Sequence, residues 1–181
     1  MSLEVSRITE LRATAHPLRL QMLSLLTGAE LSAAEVAREL GITQANASYH
    51  LRFLLDAGLL VIAGEEQVRG GRAKKYRHPW DRQRPNQVAR ASDADKRAYV
   101  QVLADAIPRR FAERQQPGGP AHFTDADLWV SPETWEQVRD LAMQASRLIH
   151  AGARPPRTPG TIRANLSIAA FPIVTEQEDP S

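Results

Sequence analysis

Gln44, Ala45, Ser48, Tyr49 and Arg52 follow one another at helical spacing, which gathers side chains toward one side of an α-helix. They offer an amide, a methyl, a hydroxyl, a phenol and a guanidinium, groups that hydrogen-bond or pack against base edges in a DNA major groove. Arg52 can fork onto O6 and N7 of a guanine or clamp a phosphate. Tyr49 can meet a thymine methyl with its ring or a phosphate with its hydroxyl, and the sequence leaves both choices open. Asp56 shares this face but lies a turn too late to reach the groove floor. The opposite face, Ala47, Leu51 and Leu54, is apolar and expected in a core. His50 falls at the edge of that core and reads as a structural histidine, rather than a pH sensor.

The elements needed to hold such a helix are punctuated clearly. Ser32 and Glu35 have the spacing of a capping box, with Leu31 and Val36 placed as a hydrophobic staple. Gly41 stands where a helix C-terminus needs a positive φ, and Thr43 is placed to cap the next helix, with Ile42 stapling onto Ala47. Two short helices joined by a tight turn form a helix-turn-helix. A short apolar run at 59–63 and a partner at 73–79 read as a β-hairpin wing, turned at Gly70 and Gly71. Arg69, Arg72, Lys74 and Lys75 cluster near its tip, where cations grip sugar-phosphate and release counterions. The expected DNA contacts are therefore Gln44, Ala45, Ser48, Tyr49, Arg52, Arg69, Arg72, Lys74 and Lys75.

The run HPLRLQMLSLL (16–26), the helix-turn-helix, SYHLRFLLDAGLLV (48–61) and the GGR-x-x-x-Y wing together resemble the ArsR/SmtB family of winged-helix repressors over about the first half of the chain. The resemblance implies a homodimer on a pseudo-palindromic operator, released by a signal. Many members of that family sense metals through cysteines. This chain has no cysteine, which removes thiolate metal sensing and disulfide switching. The five histidines, His16, His50, His78, His122 and His150, have no helical metal spacing. His122 with Asp125 and Asp127, or His150, is a conceivable harder site, but reads as solvated. No cofactor is expected.

With 181 residues, 43% hydrophobic and 24% charged, the chain is long and apolar enough for one ordinary domain or two small ones. The net charge of +2 is mild, and the cations between Arg69 and Arg84 face only Asp81 within that stretch. A local basic patch with little global excess suits a site-specific binder. No signal-like start and no apolar run of membrane length is seen, so a soluble cytoplasmic protein without membrane contact is expected. The preponderance of arginine over lysine hints at a GC-rich bacterial genome.

The expected fold class is α+β: a mainly helical winged helix-turn-helix with a two-stranded wing (1–84), a linker (85–92), and a dimerisation and possible effector region (93–175) before a frayed tail (176–181). Ser92 caps a helix running to about Arg114, which Pro108 should kink or divide. By the family resemblance this is the dimer helix; without it, packing on its own subunit is nearly as good a reading. Residues 124–130 and 162–170 alternate apolar and polar as strands do. Between them Ser131 and Pro132 start a helix whose seam, Trp135, Val138, Ala142, Ala145 and Ile149, must bury against something. The result is strand-helix-strand, as a two-stranded sheet covered by the helix or completed by a partner subunit. Phe123, Trp129, Trp135 and Phe171 are expected as core, with an effector pocket for a small molecule as the lesser alternative.

The leading functional expectation is a sequence-specific, homodimeric repressor of double-stranded DNA. A winged-helix protein-interaction module without a specific DNA site is the alternative. No phosphate loop, metal motif or nucleophile elbow points to an enzyme.

Overall fold

The computed structural model describes residues 10–68, 71–81, 91–114 and 121–173. Its elements are α1 (Glu10–Thr14), α2 (Pro17–Gly28), β1 (Leu31–Ser32), α3 (Ala33–Leu40), α4 (Gln44–Asp56), β2 (Val61–Val68), β3 (Gly71–Arg77), α5 (Asp93–Ala112) and α6 (Pro132–Ala151). The architecture is a winged helix-turn-helix followed by two long helices and two segments without regular secondary structure.

Local punctuation sets the first half. His16 caps α2, its Nδ1 accepting from the Leu18 N–H at 3.2 Å, and Pro17 follows as the first helical residue. Ser32 and Glu35 form the full reciprocal capping box of α3. Gly41 closes α3 at φ 65°, a conformation costly for a residue with a Cβ. Thr43 caps α4 through the Asn46 N–H at 3.2 Å. These helices meet over one core. Met22 and Leu26 of α2, Val36 of α3 and Ala47, Leu51 and Leu54 of α4 are fully buried, with Leu60 and Tyr76 closing it from the sheet side.

The sheet has three strands in the order β1-β3-β2, all antiparallel. β1 pairs Leu31 with Tyr76 and Ser32 with Lys75, so the residue that caps α3 also anchors the wing. The hairpin is longer than the sequence pattern suggested and shifted away from the core. Leu59 and Leu60 are buried ahead of the first wing strand, and a bulge between Ile62 and Gly64 absorbs an extra residue. Arg69 and Gly70 lie outside the described residues, as does most of the expected linker at 85–92 and all of the tail at 176–181.

Two expectations for the second half are narrowed or corrected. Of the two outcomes expected at Pro108, division is excluded: α5 runs unbroken from Asp93 to Ala112. The proline removes only the N–H that would have met the Ala104 carbonyl, and the Glu113 N–H reaching the Arg109 and Phe111 carbonyls secures the last turn. The expected strands are not strands within one chain. Residues 121–130 and 162–173 carry no regular secondary structure and form no ladder with each other or with the wing sheet. α6 forms as expected, with Ser131 accepting from the Thr134 N–H and Pro132 first in the helix, yet it contains no buried residue.

The second half still touches the first. α1 packs along α5, with Ala13 and Ala106 buried. Arg157 bonds Glu39 of α3, the Trp80 and His150 rings lie 5.7 Å apart, and the loop after α6 presses on the end of α2. A Cβ on Gly28 would stand 2.5 Å from the Arg154 carbonyl oxygen. Glycine is therefore required at that position by close approach of two backbones.

Candidate nucleic-acid interface

α4 is divided cleanly between two faces. Ala47, Leu51 and Leu54 are fully buried, while Gln44, Ala45 and Arg52 are exposed, Tyr49 is 59% exposed and Ser48 is half-buried. The Arg52 Nε donates to the Ser48 carbonyl at 3.3 Å, which lays its guanidinium along the helix. It has no ion-pair partner among the described residues. The structure thus brings the five expected base-facing residues together, on the side of α4 turned away from the core.

The wing differs from a simple cationic grip. Lys75 turns inward, its Nζ 2.6 Å from Glu35 Oε2 and 2.8 Å from Glu66 Oε2. Arg72 is 71% exposed but meets Glu65 at 3.0 Å. Arg77 approaches Glu30 at 3.8 Å and Asp81 at 3.9 Å. Antiparallel pairing sets the acidic β2 residues beside the basic β3 residues, with Glu65 opposite Lys74 and Gln67 opposite Arg72. Of the described cations in that stretch, Arg72, Lys75 and Arg77 are therefore balanced by acidic neighbours in space. Lys74 is the exposed wing cation without an ion pair among the described residues.

Glu35 joins the wing to the helix-turn-helix. One oxygen, Oε2, accepts from the Ser32 N–H at 2.7 Å, from the Ser32 hydroxyl at 2.7 Å and from Lys75. Burial pushes the Glu35 carboxyl up, but the bonds from Lys75 and Ser32 outweigh it and hold the pKa at about 2. The hydrogen bonds to Glu35 and Glu66 raise Lys75 in turn. Charge-assisted bonds of this kind are the stronger class. Lys75 therefore orients the hairpin against α3.

A second cluster escaped sequence reasoning. The His16 ring lies 4.8 Å from the His50 ring, and His50 meets Tyr49 edge-on at 5.1 Å. The Arg19 guanidinium sits 4.2 Å over the Phe53 ring, and its Nε is buried without a hydrogen bond. Burial lowers both histidines below the ordinary imidazole value, with Arg19 adding to the effect on each and His16 also acting on His50. Both effects favour the neutral form of each ring. The available signal was the placement of His16 and Arg19 one turn apart at the start of α2, but their meeting with α4 is a tertiary contact.

Phe123, Trp129 and Phe171, expected as core, lie on the surface, Trp129 at 87% exposure, while Trp135 is half-buried. The reason is that the irregular segments carrying them have no second layer to pack against within the chain. A shallow open groove runs between α5 and the 167–169 stretch, lined by Val100, Leu103, Ala104, Ile107 and Ile168. Among the described residues no three His, Asp or Glu side chains stand together as a metal site requires, and no helix is long and apolar enough to cross a membrane.

The geometry is that of a winged helix-turn-helix, and residues 14–62 match the family model described as a helix-turn-helix domain. No curated protein matches the chain. Among solved structures, the chain is similar to a possible transcriptional regulatory protein (fragment 1-100) from Mycobacterium bovis. The identity is 26%, over 57% of this chain and 97% of that one, with a TM-score of 0.34. It is also similar to a multiple antibiotic-resistance repressor (MarR) from Listeria monocytogenes. There the identity is 13%, over 81% of this chain and 85% of that one, with a TM-score of 0.31.

Proposed function

We propose that this chain is a sequence-specific DNA-binding transcriptional regulator that acts as a homodimeric repressor, an ArsR/SmtB-like winged helix without the cysteine metal site. The observation that carries the reading is the polar, exposed face of α4, which presents Gln44, Ala45, Tyr49 and Arg52 opposite a fully buried one. Each protomer places the start of α4 in a major groove, with half-sites about 34 Å apart. Gln44, Ala45, Ser48, Tyr49 and Arg52 meet base edges or adjacent phosphates. Arg69, Arg72 and Lys74 take the flanking backbone, and Lys75 positions the wing through Glu35. A small-molecule effector, if one acts, changes the separation or angle of the two α4 helices.

The test is selection from a random duplex pool at physiological salt, followed by affinity against scrambled duplex. An inverted repeat bound about a thousandfold above scrambled DNA supports the reading. Arg52→Ala then relaxes base preference at one position and costs about 1–3 kcal/mol, whereas Lys74→Ala weakens all duplexes alike and lowers the salt slope.

The ion pairing of Arg72 and Lys75 with Glu65, Glu66 and Glu35 favours one second reading, a winged-helix protein-interaction module. It gives no enriched motif and binding that vanishes as salt rises.

A further inference from the structure

We infer that His16 and Arg19 of α2, together with Tyr49 and His50 of α4, form a site for one backbone phosphodiester of duplex DNA. The inference rests on the DNA-binding reading above and adds to it a contact supplied by α2.

The first ground is an uncompensated cation. The Arg19 guanidinium lies half-buried, 4.2 Å over the Phe53 ring, with its Nε shielded from water and without a hydrogen bond. A guanidinium withdrawn from water is ordinarily paired with an anion. Among the described residues no carboxylate pairs with Arg19. Burial lowers it from its ordinary value, and the Tyr49 phenol is the group that acts in the other direction. Stacking on an aromatic face holds the plane of a guanidinium while its edge still donates to an oxyanion.

The second ground is the set of donors beside it. His16 Nδ1 accepts from the Leu18 N–H at 3.2 Å, so in its neutral form the ring carries its proton on Nε2. The His50 ring stands 4.8 Å from the His16 ring, and Tyr49 meets His50 edge-on at 5.1 Å. Beyond burial, the charge of Arg19 lowers both histidines, and His16 also lowers His50. The surroundings of the two rings are therefore electropositive, with no acid among the groups acting on them. An oxyanion at this junction meets donors and relieves that positive charge.

Position selects the DNA backbone as the source of the oxyanion. Tyr49 is 59% exposed and belongs to the open face of α4 that carries Gln44, Ala45 and Arg52. A helix seated in a major groove has a sugar-phosphate strand along each side, and contacts to it fix the register of the protein on the duplex. With Arg52 turned to the groove, the α2–α4 junction meets one such strand. The wing supplies less charge for this purpose, since Arg72, Lys75 and Arg77 are paired with acids of the chain, whereas Arg19 is not.

The test uses the full chain and a mixed-sequence duplex across a salt series, because a phosphate contact carries no sequence preference. Arg19→Gln is expected to weaken binding about tenfold and to lower the slope of log affinity against log salt by about 0.9, the share of one phosphate. Arg19→Lys keeps the charge and the slope. In the wild-type chain, the ring resonances of His16 and His50 shift when duplex is added. Unchanged binding by Arg19→Gln, or a weakening that leaves the slope as it was, assigns Arg19 to packing alone and overturns the inference. Saturable shifts of the same rings with inorganic phosphate, while Arg19→Gln binds duplex normally, overturn it in favour of a free phosphate. A lowered slope in Arg19→Gln without any motif enriched from the random pool removes sequence specificity and leaves the inference standing. A wild-type chain that binds no duplex overturns both.

Discussion

The winged helix and the C-terminal half have similar shares of apolar residues but use them in opposite ways. In the first, apolar side chains of α2, α3, α4 and the sheet converge, and Met22, Leu26, Leu51 and Leu54 lose all contact with water. In the second, a twenty-residue helix and two irregular segments carry residues of the same kinds with almost nothing over them. Burial of apolar surface is the dominant favourable term in folding. The first half therefore holds most of the stabilising contacts within the chain, and the second holds few.

The largest effect that sharpens this contrast is Leu51→Ala. It should lower unfolding free energy by about 2–5 kcal/mol, equally at low and high protein concentration, in urea titrations. Leu166→Ala should cost stability only at concentrations where copies associate. Concentration-independent costs for both would break the contrast.

Next is Glu35→Ala, which removes the capping carboxylate and leaves Lys75 with Glu66 alone. The expected loss is roughly 2 kcal/mol. The pH dependence has a definite sign. Because Glu35 is held at about 2 against an ordinary 4.5, its contribution is full above pH 4.5 and is lost as pH falls toward 2. Glu35→Gln should flatten that part of the acid-unfolding curve, measured by circular dichroism.

Gly28→Ala probes the seam between the halves. Alanine is the better helix former by about 1 kcal/mol, but its Cβ cannot stand 2.5 Å from the Arg154 carbonyl oxygen. The loop after α6 must move away. Protease cleavage between 152 and 160 should accelerate several-fold while α4 keeps its exchange protection.

The smallest effect concerns His16 and His50, both lowered by burial and by neighbouring charge. A depressed histidine binds fewer protons folded than unfolded, so stability falls as pH drops through the ordinary value of 6.5 toward the folded value. His50→Gln should reduce this loss between pH 7 and 5 in thermal melts. An unchanged slope would show that the pair carries no such linkage.

Much of the first half was readable because its signals are local. Ser32 with Glu35, Gly41, Thr43 and Ser131 with Pro132 act within one turn of backbone, so their residue types alone disclose helix ends. The split of α4 into a core face and an open face follows from helical period. The charge balance of the wing was not readable. Lys75 meets Glu35 forty residues away, and Arg72 meets Glu65 only because a particular hairpin register sets them side by side. Pro108 left a kink and a division both open in the sequence, and the helix is undivided because the cost of one missing N–H is local.

By itself, then, the sequence determined the helix-turn-helix, its caps and the amphipathic division of α4, since each is set by short-range stereochemistry and periodicity. Only the tertiary structure decided which cations remain open, that His16 and Arg19 stand beside α4, and that the two C-terminal segments find no ladder within one chain. These depend on which distant surfaces come together, and that is settled by packing and register across the fold.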